Sequence, residues 1–183
     1  MQFRRGDQDL QAASDRWALA SWRCLYTLPI MVTILKPIPV SPPPVVAWLG
    51  YGGVAPFALL CFAAMAPGPY ALISYRALLS YAAVILSFVG ALLWGFAMTL
   101  PGVDETRRNG LFIWSVVPAL VGWIALLLAP VPAAAILLLG FLVQYRMDRR
   151  LARAVTLPAW YLPLRLRLTA AACCSVALGT IAA

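Results

Sequence analysis

Five long apolar stretches, separated by short polar segments, constrain the fold of this chain more than any other feature. We place them at about residues 45–66, 77–100, 111–129, 131–145 and 164–183. A helix needs about 20 apolar residues to cross the hydrocarbon core of a bilayer. The stretches lack the ten-residue alternation of a barrel strand, so only helices can satisfy their backbone groups in lipid. The sequence predicts an all-α integral membrane protein, a bundle of five transmembrane helices.

The composition agrees with a membrane location and excludes several functional classes. Apolar residues make up 63% of the 183 residues and charged residues 11%, whereas soluble domains are closer to one half and one quarter. The chain contains no histidine, which excludes His-dependent catalytic triads and His-ligated metals within it. Neither a nucleophile–base pair nor a set of four metal ligands can be assembled from the other residues. We expect no enzyme activity, no catalytic residues, no cofactor and no metal.

The distribution of basic residues predicts the orientation in the membrane. With five spans, thirteen of the fourteen basic residues fall on one side and Arg76 alone falls on the other. Short cytoplasmic loops carry an excess of Arg and Lys, so the N-terminus is predicted to be cytoplasmic and the C-terminus to lie on the opposite side. The predicted location is the bacterial inner membrane, with the mitochondrial inner membrane as the alternative. Because the basic clusters alternate with apolar runs, we expect no nucleic-acid binding.

Residues 1–43 form a separate predicted region ahead of the transmembrane domain, which covers residues 44–183. Aromatic and basic residues between Trp17 and Tyr26 predict a segment that lies in the membrane interface. The proline-rich residues 37–44 predict a stiff, extended connector. An unstructured extension is the alternative for residues 1–15. A sixth span over residues 24–40 is disfavoured, because three prolines and one lysine interrupt it.

Small residues recur at every fourth position on two of the predicted spans. The second span carries Ala83, Ser87, Ala91 and Gly95, and the fifth carries Ala171, Ser175, Gly179 and Ala183. Helices in lipid associate through close packing of such residues. These faces either bind a partner protein or a second copy of the chain, or they pack inside their own bundle, where the two faces can meet each other.

The first predicted span contains residues that weaken a helix: Gly50, Gly52, Gly53 and Pro56. Glycine destabilises a helix by about 1 kcal/mol relative to alanine, and proline removes a backbone hydrogen bond. Transporters use such broken helices to present backbone groups to a substrate. The alternative is a plain kink that allows close contact between helices.

The segment before the last span is strongly basic and contains Arg146, Arg149, Arg150, Arg153, Arg165 and Arg167. We predict that these side chains contact anionic lipid headgroups on the cytoplasmic side. The alternative is that they serve only as the topology signal, and the two roles are compatible.

Several short motifs resemble those of a known family. They are Leu49-Gly50 with Gly53 and Pro56-Phe57, the block from Ile85 to Gly95, Trp114-Ser115 with Pro118 and Trp123, and Trp160-Tyr161 with Leu164-Arg165 and Leu168-Thr169. Together they resemble the transmembrane protein 69 family, a group of small multi-span proteins of unknown function from proteobacteria and mitochondria. The resemblance covers residues 45–183 and implies a membrane-embedded bundle. It implies no activity.

Two functions are consistent with these features. The leading hypothesis is a non-catalytic inner-membrane protein, an accessory, assembly or structural subunit that packs against a larger energy-transducing complex, or a self-associating bundle. The alternative is a carrier or binding bundle for a lipid or an apolar small molecule, which uses the helix break between Gly50 and Pro56.

Overall fold

The computed structural model describes residues 41–182. Six helical segments make up most of this part of the chain: α1 (Pro44–Gly52), α2 (Ala55–Met65), α3 (Ala71–Thr99), α4 (Glu105–Leu126), α5 (Pro130–Ala154) and α6 (Tyr161–Ala182). The pair α1–α2 and each of the other four helices are long and apolar enough to cross a membrane. The prediction of an all-α bundle with five transmembrane helices is confirmed. The predicted interfacial segment between Trp17 and Tyr26, and Ala183, lie outside the described residues.

Several helices extend beyond the apolar runs that predict them. Helix α4, the third membrane span, begins at Glu105, where the Asp104 side chain caps it by accepting a 3.2 Å hydrogen bond from the backbone N–H of Arg107. Helix α5 continues to Ala154, although its apolar run ends at Tyr145. Residues 146–154 are mostly Arg, Leu, Ala and Met, which favour helix. A helix therefore continues past the point at which its sequence stops being apolar.

Helix α3 is the central helix of the bundle and packs against α2, α4, α5 and α6. Its side chains Leu78, Leu86 and Leu93 are fully buried. Leu137 of α5 and Val176 of α6 complete the same interior. The core therefore lies along α3, with the other helices arranged around it.

Small residues bring α3 and α4 close together. A Cβ atom built on Gly90 would lie 2.6 Å from Cγ of Pro118, and one built on Gly122 would lie 3.3 Å from Cβ of Ala83. The last helix approaches α3 differently, because a Cβ atom on Gly179 would lie 2.7 Å from Leu78. The two small-residue faces therefore do not pack on each other: Ala83 meets α4, and Gly179 meets a leucine of α3.

The two ends of the bundle carry different polar contacts. At one end, the guanidinium of Arg108 donates a 2.8 Å hydrogen bond to the carbonyl of Ala97 near the end of α3. At the other end, the hydroxyl of Tyr75 donates a 2.9 Å hydrogen bond to Oγ1 of Thr180. The connectors at residues 101–104 and 155–160 lie at the first of these ends. We call it the basic end, because the arginine-rich last turns of α5 are also there.

Candidate functional site

The first membrane span is interrupted between Gly52 and Ala55. Pro56 has no N–H to donate to the carbonyl four residues earlier, so the helix cannot continue with full hydrogen bonding. The hydroxyl of Tyr81 on α3 donates a 2.9 Å hydrogen bond to the carbonyl of Gly53 within this break. The ring of Tyr81 also packs edge-on against Phe57, with 4.9 Å between centroids. The break is therefore held in place by α3.

A groove with a volume of about 600 Å³ opens beside this break. Its walls come from α1, the break, α2, α3, α5 and α6. The lining side chains are almost all apolar, and they include Val46, Leu49, Gly50, Gly53, Val54, Phe57, Ile85, Phe88, Val89, Leu92, Phe96, Phe141, Leu164 and Leu168. The volume is within the range of small-molecule and cofactor sites.

The groove opens on the flank of the bundle. Leu49 of α1 and Phe88 of α3 both line the groove and are 72% and 63% exposed. Phe57 and Phe141 form the closed side and are almost fully buried, with their ring centroids 6.4 Å apart. An apolar molecule in the surrounding bilayer can therefore reach the groove from the side.

A polar cluster of Trp114, Gln144, Asp148 and Arg165 lies at the basic end. Nε of Arg165 donates a 2.8 Å hydrogen bond to Oδ2 of Asp148, and Nη2 lies 2.7 Å from the same oxygen. Gln144 donates a 3.3 Å hydrogen bond to the other carboxylate oxygen and accepts one of 3.1 Å from the indole N–H of Trp114. Asp148 is 1% exposed and Arg165 is 7% exposed. The cluster joins α4, α5 and α6 inside the protein.

The polar cluster and the groove meet at the start of α6. Arg165 belongs to the cluster and also lines the groove, together with Trp160, Tyr161 and Thr169. The ring of Tyr161 packs edge-on against Phe96 of α3, with 5.7 Å between centroids. The groove is therefore apolar along the break and polar at the basic end.

Two polar atoms at this end have no hydrogen-bond partner among the described residues. They are Nε1 of Trp160 and the hydroxyl oxygen of Tyr161, and both are buried. Such a group costs about 1–3 kcal/mol when nothing satisfies it. A groove whose polar end has unsatisfied donors is suited to an elongated molecule with one polar end.

The residues predicted for the helix break differ in their roles. Gly50 and Gly53 line the groove, and a Cβ atom on Gly50 would lie 3.2 Å from Leu168 of α6. Gly52 faces open space. Pro56 occupies the first turn of α2.

The predicted small-residue faces are only partly used inside the bundle. Ala83 and Gly179 are buried, whereas Ser87, Ala171 and Ser175 are half-buried. Ala91 and Gly95 are exposed, and a Cβ atom on Gly95 would meet nothing within 4 Å.

Five of the six arginines predicted to contact lipid headgroups are exposed, and one is not. Arg146, Arg149, Arg150, Arg153 and Arg167 are exposed. Arg165 lies inside, paired with Asp148, so it does not belong to the exposed set. The neighbouring Arg167 lies on the outer face of α6, 3.4 Å from the hydroxyl of Tyr51.

Asp148, Gln144 and the ion pair were not among the residues predicted from the sequence. A signal was present, because the buried positions of α5 include Leu137, Phe141, Gln144, Asp148 and Leu151, which follow a helical repeat of three and four. That repeat places the carboxylate on the buried face of a continuous helix.

Among the described residues, no group of three or more His, Cys, Asp or Glu side chains is placed to hold a metal ion. The thiols of Cys61, Cys173 and Cys174 are free, and Cys61 is part of the apolar core.

Comparison with known proteins identifies the family. A family model described as "Protein of unknown function (DUF3429)" matches residues 42–181. The chain belongs to this family. A relative named transmembrane protein 69, from Xenopus tropicalis, is 33% identical over 141 residues, which is 75% of this chain and 54% of the relative. The predicted resemblance to the transmembrane protein 69 family is confirmed.

The match covers only part of the relative's length. This DUF3429 chain spans about half the length of the curated relative it matches. No solved structure matches it significantly. The five apolar helices and the relative's name both support a multi-pass membrane protein.

Proposed function

We propose that this protein is a non-catalytic binding bundle that holds an elongated apolar molecule, such as a lipid chain, in the groove beside the broken first span. The observation that carries the proposal is the 600 Å³ groove, which has apolar walls, opens on the flank of the bundle and ends at buried polar side chains. Binding of this kind requires only that the groove match the shape of the molecule and bury it, and it uses no nucleophile or redox group.

The helix break supports the proposal because it contributes directly to the groove. Gly53 and Val54 lie in the wall, and the close approach of Gly50 to Leu168 lets α1 lie beside α6. The hydroxyl of Tyr81 already donates a hydrogen bond to the carbonyl of Gly53. The break therefore serves to shape a cavity.

Two neighbouring glycines provide a matched test of the groove. Gly53 lines it, whereas Gly52 does not and has open space around its position. We expect Gly53→Leu to obstruct the groove and Gly52→Leu to leave it open. The measurement is mass spectrometry of the lipids and apolar molecules that the purified full chain retains after extensive detergent washing. Equal retention by both variants and the unaltered protein contradicts the proposal.

A second pair of variants covers the case in which Gly53→Leu fails to fold. Leu92 lies on the rim of the groove and is 36% exposed, so a tryptophan there fits on the outside of the bundle. Leu72 lies on the same helix, is 54% exposed and does not line the groove. Leu92→Trp is expected to reduce retention, while Leu72→Trp leaves it unchanged. If both variants retain as much as the unaltered protein, the proposal is rejected.

A second candidate function is that of an accessory or assembly subunit, or of a self-associating bundle. It is favoured by Ala91 and Gly95, which lie on the exposed face of α3 and are not needed for packing within the described bundle. Close packing of small residues is a means of association between helices in lipid. A helix from a larger membrane complex, or from a second copy, fits against this face.

The partner face is tested by copurification in a mild detergent. Gly95→Leu is expected to release a partner chain that the unaltered protein retains. Gly110→Leu is the control, because Gly110 is also exposed with nothing within 4 Å of a built Cβ atom. Recovery of the unaltered protein only as a free monomer removes this candidate.

The exposed arginines of the basic end complete the proposal. Arg146, Arg149, Arg150 and Arg153, on the last turns of α5, point away from the core and are suited to anionic headgroups on the cytoplasmic side of a bacterial inner membrane or of its mitochondrial counterpart. Neutralising these four is expected to reduce cosedimentation with anionic vesicles in comparison with neutral ones.

A further inference from the structure

We propose that the groove selects an esterified acyl chain of a membrane lipid, with the uncharged ester carbonyl held at its polar end by the hydroxyl of Tyr161 and the indole N–H of Trp160. This inference rests on the proposed binding function and adds to it the chemical class of the occupant. The polar end is the part of the groove that distinguishes one apolar molecule from another.

The first argument is the unsatisfied hydrogen-bonding capacity of the two side chains. Tyr161 is 8% exposed and lines the groove, and its hydroxyl, which lies beside the Asp148–Arg165 pair, makes no hydrogen bond of good geometry among residues 41–182. The indole nitrogen of Trp160 is also buried without a partner in that range. Buried polar groups in proteins are nearly always hydrogen-bonded to protein, water or ligand. An indole N–H can only donate and a phenol donates readily, so the complementary group is an acceptor.

The second argument is that the charge at this end is already balanced. The guanidinium of Arg165 is paired with the carboxylate of Asp148 at 2.7 Å. Gln144 also donates to that carboxylate. An anionic group brought into this buried part of the groove would lose its hydration and find the lining cation, Arg165, already paired. An uncharged acceptor has a much smaller desolvation cost, so a carbonyl fits better than a carboxylate or a phosphate.

The third argument is the position of the polar end. Tyr161 is the first residue of α6, at the basic end of the bundle, where the exposed arginines of α5 also lie. The groove runs from there towards Phe57 and Phe141 in the bundle interior. A lipid with its chain in the groove places its ester next to Tyr161 and its headgroup near the arginines. Its orientation then agrees with that of the surrounding leaflet.

The test uses three probes of the same chain length, each carrying a diazirine on the chain: hexadecane, methyl hexadecanoate and hexadecanoic acid. The purified full chain in detergent is irradiated with each probe, and capture is measured by mass spectrometry of the intact protein. We expect the ester to be captured three- to tenfold more than the hydrocarbon, the effect of one or two hydrogen bonds. We expect no such gain for the acid in its ionised form.

Substitutions assign the preference to the two side chains. Tyr161→Phe removes only the hydroxyl, and it is expected to lower capture of the ester to the level of the hydrocarbon without changing hydrocarbon capture. Trp160→Phe is expected to reduce the same preference. Tyr145→Phe is the control, because Tyr145 lies outside the groove. An ester preference that survives both groove substitutions, or a stronger preference for the ionised acid, overturns the inference.

The probes also separate this inference from the proposed function. If hydrocarbon is not captured, or if Gly53→Leu and Leu92→Trp both leave its capture unchanged, the groove is not a binding site and the proposed function fails. If hydrocarbon is captured and those variants reduce it, but the ester shows no advantage, only the choice of an ester fails.

Discussion

Arg165 and Asp148 join the two last helices of the bundle through a buried ion pair, with Nε and Nη2 of the guanidinium 2.8 and 2.7 Å from one carboxylate oxygen. The two residues are 17 positions apart in sequence, and Arg165 also lines the polar end of the groove. Because Gln144 and Trp114 extend the ion pair to a third helix, the pair fixes how α4, α5 and α6 meet.

Removal of either member of this pair is expected to destabilise the protein. Asp148→Ala or Arg165→Ala leaves one charge buried without its partner, at a cost of about 3–5 kcal/mol. The double variant Asp148→Leu with Arg165→Met removes both charges and is expected to cost less than either single change. The measurement is unfolding of the purified protein by increasing SDS in mixed micelles.

Arg167→Ala is the control for these variants. Its guanidinium is exposed on the outer face of α6, so little change in stability is expected. If the double variant loses as much free energy of unfolding as the two single variants together, Asp148 and Arg165 are not coupled.

The contact between Gly90 and Pro118 predicts a difference between two glycines of the same helix. Since a Cβ atom on Gly90 would lie 2.6 Å from the proline ring, Gly90→Leu is expected to force α3 and α4 apart and lose about 1–3 kcal/mol. Gly95→Leu has open space and is expected to leave stability of the isolated chain unchanged. Thermal unfolding in detergent compares the two, and equal loss in both contradicts this account of the interface.

Tyr81 is expected to maintain the shape of the helix break. Tyr81→Phe keeps the ring contact with Phe57 and removes the hydrogen bond to the carbonyl of Gly53. Such a hydrogen bond contributes about 0.5–1.5 kcal/mol to stability. We expect a matching fall in stability, and faster hydrogen–deuterium exchange in residues 53–58. Tyr70→Phe is the control, because Tyr70 is 76% exposed. Unchanged exchange in the break after Tyr81→Phe would show that this hydrogen bond does not hold it.

The orientation predicted from basic residues is tested with reporters. A reporter that is active only outside the cytoplasm is expected to be active when fused after Ala183 and inactive when inserted at residues 155–159 or fused before Met1. The reason is that the arginines of the basic end favour the cytoplasmic side. Activity at both termini, or at neither, contradicts the five-span orientation.

The elements of the fold were predictable because the bilayer imposes a simple rule on sequence. Long uncharged runs have no alternative to a helix in lipid, so the five spans follow from the sequence directly. The interruption of the first span follows from Gly53 and Pro56. Helix ends were less predictable, because α5 continues through residues 146–154, which are polar and still favour helix.

The site was predictable only in part. Gly50 and Gly53 pointed to the region of the groove, but the cavity depends on the approach of α6 to α1, a long-range contact that no local pattern encodes. The pairing of Asp148 with Arg165 was missed for the same reason. Arg165 and Arg167 are two residues apart and so do not share a helix face, but only the packing of α6 shows which of them points inward.

The side opening of the groove determines how its contents exchange. With Leu49 and Phe88 at the mouth, a molecule enters by two-dimensional diffusion within the leaflet and never passes through water. Occupancy then depends on the mole fraction of that molecule among its neighbours in the bilayer. A species that is abundant in the leaflet can fill the groove even when its affinity is modest.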